Sequence, residues 1–100
     1  MNLRSLRTFV ATADSGGLGR ASERLNLSQP AASRQIDSLE AEFGVQLFHR
    51  VGRRLQLTTE GEDLLRQSRR LLVDADSLME RAHALKGGQT GTLRVAPRRK

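Results

Sequence analysis

A serine followed two residues later by a proline fixes where a helix must begin in this chain. In the run Ser28-Gln29-Pro30-Ala31-Ala32-Ser33-Arg34-Gln35, the Ser28 hydroxyl can accept a backbone N–H and cap the first turn. Pro30 falls inside that turn, where its missing N–H costs little and its fixed φ suits a helix. Ala32, Ile36, Leu39 and Phe43 then recur at helical spacing and define a buried stripe. Gly44 suits a left-handed C-cap, followed by the apolar Val45. A shorter segment, Leu18 to Leu25, precedes this helix across a tight turn at Asn26-Leu27. It would bury Leu18, Ala21 and Leu25, and a residue as small as Ala21 permits two closely crossing helices. The order and spacing predict a helix-turn-helix.

The flanking segments extend this unit. Leu3, Leu6, Phe9, Val10 and Ala13 mark an amphipathic first helix, ended by Gly16-Gly17. Beyond Val45 the helical period stops. Leu47-Phe48-His49-Arg50 and Leu55-Gln56-Leu57 read as short strands, and Val51-Gly52-Arg53-Arg54 as the basic turn between them. A hairpin directly after a helix-turn-helix is a wing. Thr58 then caps a long helix in which Leu64, Ser68, Leu71, Ala75, Leu78, Ala82 and Leu85 form a heptad seam, widened by Leu65, Leu72 and Met79. So wide a stripe on so small a domain predicts a partner helix, most simply that of a second copy. The alternative is that the helix packs wholly back onto its own domain.

The expected fold class is therefore mostly α, a winged helix-turn-helix over 1–58 followed by a long dimerisation (linker) helix over 59–86. Residues 87–100 are expected to be a hinge, Gly87-Gly88-Gln89-Thr90-Gly91, and the opening strand of a second domain absent from this sequence, Thr92 to Ala96. Pro97 and a basic, disordered tail would follow it.

One hundred residues suffice for one small domain with a modest core. The net charge of +6 favours an anionic partner, nucleic acid ahead of a membrane surface. The sequence has no cysteine, which excludes disulfides, thiolate metal sites and cysteine nucleophiles. No apolar run approaches membrane-spanning length, and the N-terminus lacks the apolar core of a signal peptide, so a cytoplasmic location is expected.

Within the helix-turn-helix, only the first turns of a helix set end-on in a DNA major groove reach base edges. Gln29 can bond adenine bidentately, and Arg34 can bond guanine or a phosphate. Pro30 and Ala31 can pack on a thymine methyl, and Ser33 can donate to a base or a phosphate. Asp37, Glu40 and Glu42 all fall in the second half of the helix, where they stay clear of phosphates. In the wing, Arg50, Arg53 and Arg54 would follow phosphates or enter the minor groove. Ser28 and Thr58 are helix caps first and phosphate contacts second. Arg66, Arg69 and Arg70 are expected to solvate the outer face of the long helix.

Catalysis finds no support. Gly16-Gly17-Leu18-Gly19 lacks the preceding strand and the Lys-Ser/Thr of a phosphate-cradling loop. His49 and His83 stand far apart without ligand-spaced neighbours, so neither a metal nor a cofactor is expected. A competing reading keeps the winged fold and the seam but makes the chain a dimeric protein-interaction module. The basic wing beside a polar helix start argues for DNA over that adaptor.

These segments together resemble LysR-type transcriptional regulators. The run Leu27 to Ile36 resembles their recognition helix. Leu39-Glu40 with Gly44-Val45-Gln46-Leu47-Phe48-His49-Arg50 resembles the family's L-E…G-x-x-L-F-x-R stretch. Leu57-Thr58-Thr59-Glu60-Gly61 resembles its L-T-x-x-G helix start, and Gly91-Thr92-Leu93-Arg94-Val95 the first strand of its effector-binding domain. The resemblance implies a bacterial, cytoplasmic regulator whose linker helices pair antiparallel into homodimers. It also implies tetramers in full-length members, and partly palindromic double-stranded operators. A small-molecule effector would act only through the absent domain. Base reading would fall on Gln29, Pro30, Ser33 and Arg34, and wing contacts on Arg53 and Arg54. One departure stands out. The family usually places a Ser cap and a Ser/Thr at the start of the second helix, where this chain has Gly17 and Gly19. Gly inside a helix costs about 1 kcal/mol against Ala.

Overall fold

Four helices and one hairpin follow each other in the order α1 (Leu3–Ser15), α2 (Leu18–Leu25), α3 (Gln29–Phe43), β1 (Phe48–Val51), β2 (Arg54–Leu57) and α4 (Thr59–Gly91). The computed structural model describes residues 1–52 and 54–91, with backbone only from 88 onward. The caps explain the boundaries. Asn2 accepts from the Ser5 N–H and opens α1, and Ser28 accepts from the Ala31 N–H at 3.2 Å and opens α3. Asn26 takes the left-handed conformation (φ 59°, ψ 44°) that ends α2, and Leu27 N–H closes the turn on the Ser22 carbonyl at 2.9 Å. Asn tolerates this region better than most side chains do.

The core forms where the apolar faces of α1, α3 and α4 meet the base of the hairpin. Leu6, Phe9, Ile36, Leu39, Leu47, Phe48, Leu65 and Leu72 are its buried members. Phe9 and Phe48 meet edge to face with ring centroids 5.7 Å apart, tying α1 to β1. Ala21 is fully buried where α2 crosses its neighbours, as a small residue allows. Leu3, expected on the inner stripe of α1, is exposed.

The hairpin is antiparallel, with Phe48 opposite Leu57, Arg50 opposite Leu55 and Val51 opposite Arg54. Its turn is thus tighter than the expected Val51–Arg54 loop, because both end residues pair. Gly52 supplies the positive φ (63°) that a short hairpin turn needs.

Two expectations about α4 change. The helical backbone continues past 86 to Gly91, through the stretch expected to be a hinge. Each glycine costs a helix only about 1 kcal/mol, and extending a formed helix avoids the cost of nucleation. The strand expected at 92–96 and the basic tail lie outside the described residues. The seam also divides. Leu65, Ser68 and Leu72 are buried against the domain and Leu64 and Ala75 are half-buried, while Leu71, Leu78, Ala82 and Leu85 are exposed. Leu64 therefore serves the core of its own chain. The helix packs back over its first turns only, and its apolar stripe continues past the end of the body that could cover it.

Candidate nucleic-acid interface

The inner face of α3 is fixed by apolar packing of Ala32, Ile36 and Leu39 and by two polar anchors. Gln35 accepts a hydrogen bond from the Thr8 hydroxyl on α1. Glu40 accepts from the backbone N–H of Leu47 at 2.7 Å and, more weakly, from that of Phe48 at 3.4 Å. One carboxylate thereby holds the helix to the start of the wing, a role the sequence did not announce. Of the other two acids, Glu42 pairs with the Met1 ammonium, and Asp37 stays exposed.

The outer face is left for a partner. Gln29, Pro30 and Arg34 are exposed and Ser33 is half-buried, and helical geometry gathers them opposite the packed residues. Ala31 is half-buried and lies at the edge of this set. A groove separates α3 from the wing. Ser33, Asp37 and Glu40 line it from the helix, and Gln46, His49 and Arg50 from the other side. The structure thus unites Ser33 and Arg50 in one concavity and adds Asp37, Gln46 and His49.

Arg50 and Arg54 do not share one face of the wing. Cross-strand partners share a face, so Arg50 lies with Leu55 and Arg54 with Val51 on the opposite face. Arg53 lies outside the described residues. Thr58 drops out of the surface set. It is 4% exposed, and its hydroxyl accepts from Gly61 N–H at 2.8 Å while donating to the Gln46 carbonyl at 2.6 Å. Both capacities of that hydroxyl are used inside the fold.

Among the described residues, Arg34, Arg50 and Arg54 have no ion-pair partner, nor do Arg4, Arg20, Arg24, Arg70 and Arg81, whereas Arg7, Arg66 and Arg69 pair with Asp76, Asp63 and Asp14. Lack of an internal partner leaves the interface arginines able to meet phosphates without marking them out from the rest. Arg69, expected to be solvated, instead grips Asp14 through two bonds of 2.6 and 3.2 Å and ties α4 to α1.

That hydrogen bond is the main reason the Asp14 carboxyl sits below the usual carboxylate range. Partial burial opposes it, and the charges of Arg69 and Arg24 reinforce it. A depressed carboxylate adds stability above its unfolded pKa, and that stability is lost as pH falls through the lower, folded value. The α1–α4 clamp should therefore weaken below about pH 4. Because the pair is exposed to solvent, the effect is about 0.5 kcal/mol. Unfolding free energies of the wild type and Asp14→Asn from urea titrations should differ by that amount near neutral pH and converge in acid.

Residues 3–62 match the bacterial regulatory helix-turn-helix proteins of the lysR family. The chain belongs to that family. Among lysR-family relatives it is similar to the HTH-type transcriptional regulator ClcR of Pseudomonas putida, at 44% identity over 96 residues, covering 96% of this chain and 33% of ClcR. It is likewise similar to XapR of Escherichia coli (strain K12), at 42% identity over 94 residues, covering 94% of this chain and 32% of XapR. The chain thus spans about a third of the length of these relatives. Among solved structures, a complex of the BenM DNA-binding domain with catB site 1 DNA superposes with TM-score 0.84 at 35% identity, covering 88% of this chain and 99% of that one. A CbnR DNA-binding domain–DNA complex gives TM-score 0.80 at 38% identity, covering 86% and 99%.

Proposed function

We propose that this chain is the part of a cytoplasmic transcriptional regulator that binds double-stranded DNA sequence-specifically, without enzymatic activity of its own. The observation that carries the reading is the division of α3. Its inner face is locked by Gln35, Glu40 and the core, and its outer face presents Gln29, Pro30, Ser33 and Arg34 with no competing structural duty. That outer face would enter the major groove, with Gln29, Pro30, Ser33 and Arg34 on base edges and Ser28 near the backbone. Arg50, sharing the groove with Ser33, would meet the phosphates nearest the helix. Arg53 and Arg54 would grip the flank.

Two copies would join along Leu71, Ala75, Leu78, Ala82 and Leu85. Pairing of this kind holds two recognition helices at a set separation. It suits a partly palindromic site whose halves lie about 34 Å, or a multiple of it, apart.

Substituting one base-facing and one phosphate-facing residue tests the assignment. Gln29→Ala should lower affinity for the preferred duplex by about 1–3 kcal/mol and leave other duplexes nearly unchanged. Arg54→Ala should weaken every duplex alike and reduce the slope of log affinity against log salt by about 1. Equal losses from both substitutions on all duplexes would contradict these two roles. Absence of duplex binding even at low salt would leave the adaptor reading in its place.

A further inference from the structure

We infer that Arg7 and Asp76 are positioning residues for paired DNA reading: their ion pair, beside that of Asp14 and Arg69, holds the reading head at one angle to the seam and so makes the spacing of the two half-sites strict. The inference rests on the paired-head reading above. Arg7 Nη2 lies 3.1 Å from Asp76 Oδ1, and Arg69 Nη2 lies 2.6 Å from Asp14 Oδ1. On α1 and on α4 alike the two charges stand nearly two helical turns apart, so each helix carries both on one flank. The pairs run antiparallel and with opposite polarity. Sliding one helix by that step would set Arg7 against Arg69, so the charges admit one register of α1 on α4.

The rest of the contact leaves α4 able to tilt. Its start is pinned to the wing, where Thr58 N–H donates to the Leu47 carbonyl at 3.0 Å. Beyond that point one line of residues, Gly61, Leu65, Ser68 and Leu72, is buried against the body. A single line resists sideways rocking poorly, and both ion pairs flank it on the same side. From Asp76 to Gly87 every residue is exposed, so Asp76 stands where the helix leaves its domain. Leu78 on the seam is about 26 Å along the helix from Gly61, and a tilt of about 10° about that end shifts it by about 4 Å. That shift exceeds the rise of one base pair, about 3.4 Å. It also parts a pair held at 3.1 Å.

The tie reaches the recognition helix directly. Arg7 precedes Thr8, whose hydroxyl donates to Gln35 on α3. Asp76, Arg7, Thr8 and Gln35 therefore link the seam helix to the helix that faces DNA. The ion pairs stand in solvent and add little to folding. Their effect appears when a site has the wrong spacing. Both protomers must then tilt, and each must break its own pairs. The loss is counted twice, and exposed pairs of this kind together penalise such a site by about fivefold.

The test compares affinities for duplexes with two half-sites at the selected separation and with one base pair inserted or removed between them. Arg7→Ala and Asp76→Ala should each lower the ratio of native to shifted affinity by about fivefold. They change the net charge in opposite directions, so a general charge effect would not move the ratio alike in both. The dimer mass and the helical circular dichroism should stay as in the wild type. Exchanging the charges, Arg7→Asp with Asp76→Arg, should restore the ratio. An unchanged ratio in the folded dimer of either single variant overturns the inference alone. So do opposite shifts in the two single variants, or a ratio that the exchange fails to recover, which assigns the effect to side-chain packing. A wild-type dimer indifferent to spacing overturns the paired-head reading, and the inference with it.

Discussion

Gly61→Ala should destabilise the domain by about 3 kcal/mol, the upper end of ordinary overpacking. A Cβ at position 61 would lie 2.2 Å from the carbonyl oxygen of Leu47 and 3.1 Å from Leu57 Cδ2. The oxygen cannot yield, since Leu47 is held on both sides. Its carbonyl accepts from Thr58 N–H at 3.0 Å, and its own N–H is bound by Glu40. Relief requires the start of α4 to move away from the wing. Gly61 is also the donor to the Thr58 cap, so the cap is strained in the same motion. Urea unfolding should show a lower midpoint with an unchanged slope. Gly87→Ala is the contrasting substitution, because nothing lies within 4 Å of its added Cβ. It should be neutral or slightly stabilising, as alanine for glycine in an open helix is. Equal behaviour of the two alanines would refute the close approach at Gly61.

Leu78→Glu should separate the dimer while leaving each protomer folded. Leu78 is 69% exposed, so its own domain gains little from it. In a paired seam the same side chain would be buried, and a carboxylate there would lose its water without a partner. Mass measured by light scattering should fall from dimer to monomer, with helical circular dichroism unchanged. Affinity for a duplex carrying both half-sites should drop by about 100-fold or more as the second head becomes independent of the first. Val73→Glu is the matched control. Val73 is 62% exposed but lies off the seam, and its substitution should leave the mass unchanged. A dimer surviving Leu78→Glu would remove this face from the proposed assembly.

Local signals are the legible ones. Ser28, Asn26 and Gly44 each mark a helix end through the chemistry of a few adjacent atoms, and all three ends fall where those residues place them. The wing is readable from a change of period, to within a residue at each strand. The base-facing set is readable because it is the polar complement of the Ala32–Ile36–Leu39 stripe. What escapes depends on contacts between residues far apart in sequence. The Asp14–Arg69 clamp, the Thr8–Gln35 bond and the grip of Glu40 on Leu47 leave no periodic trace. Gly61 reads as one element of a helix-start motif, and only the nearness of Leu47 explains why no side chain fits there. Thr58 differs from its expected place on the surface for the same reason: its cap role is visible in the sequence, its burial is not. Periodicity alone also does not divide the α4 stripe into a part covered by its own domain and a part left open. The extent of that domain decides where the division falls.

Selection of bound duplexes from a random pool with the unmodified chain most directly tests whether α3 reads DNA in pairs. The selected sequences should contain two inverted half-sites about 34 Å apart, or a multiple of that distance, each with a preferred base lost in Gln29→Ala. Recovery of unselected sequences, bound only through a salt-dependent and base-independent attraction, would contradict sequence reading by this helix.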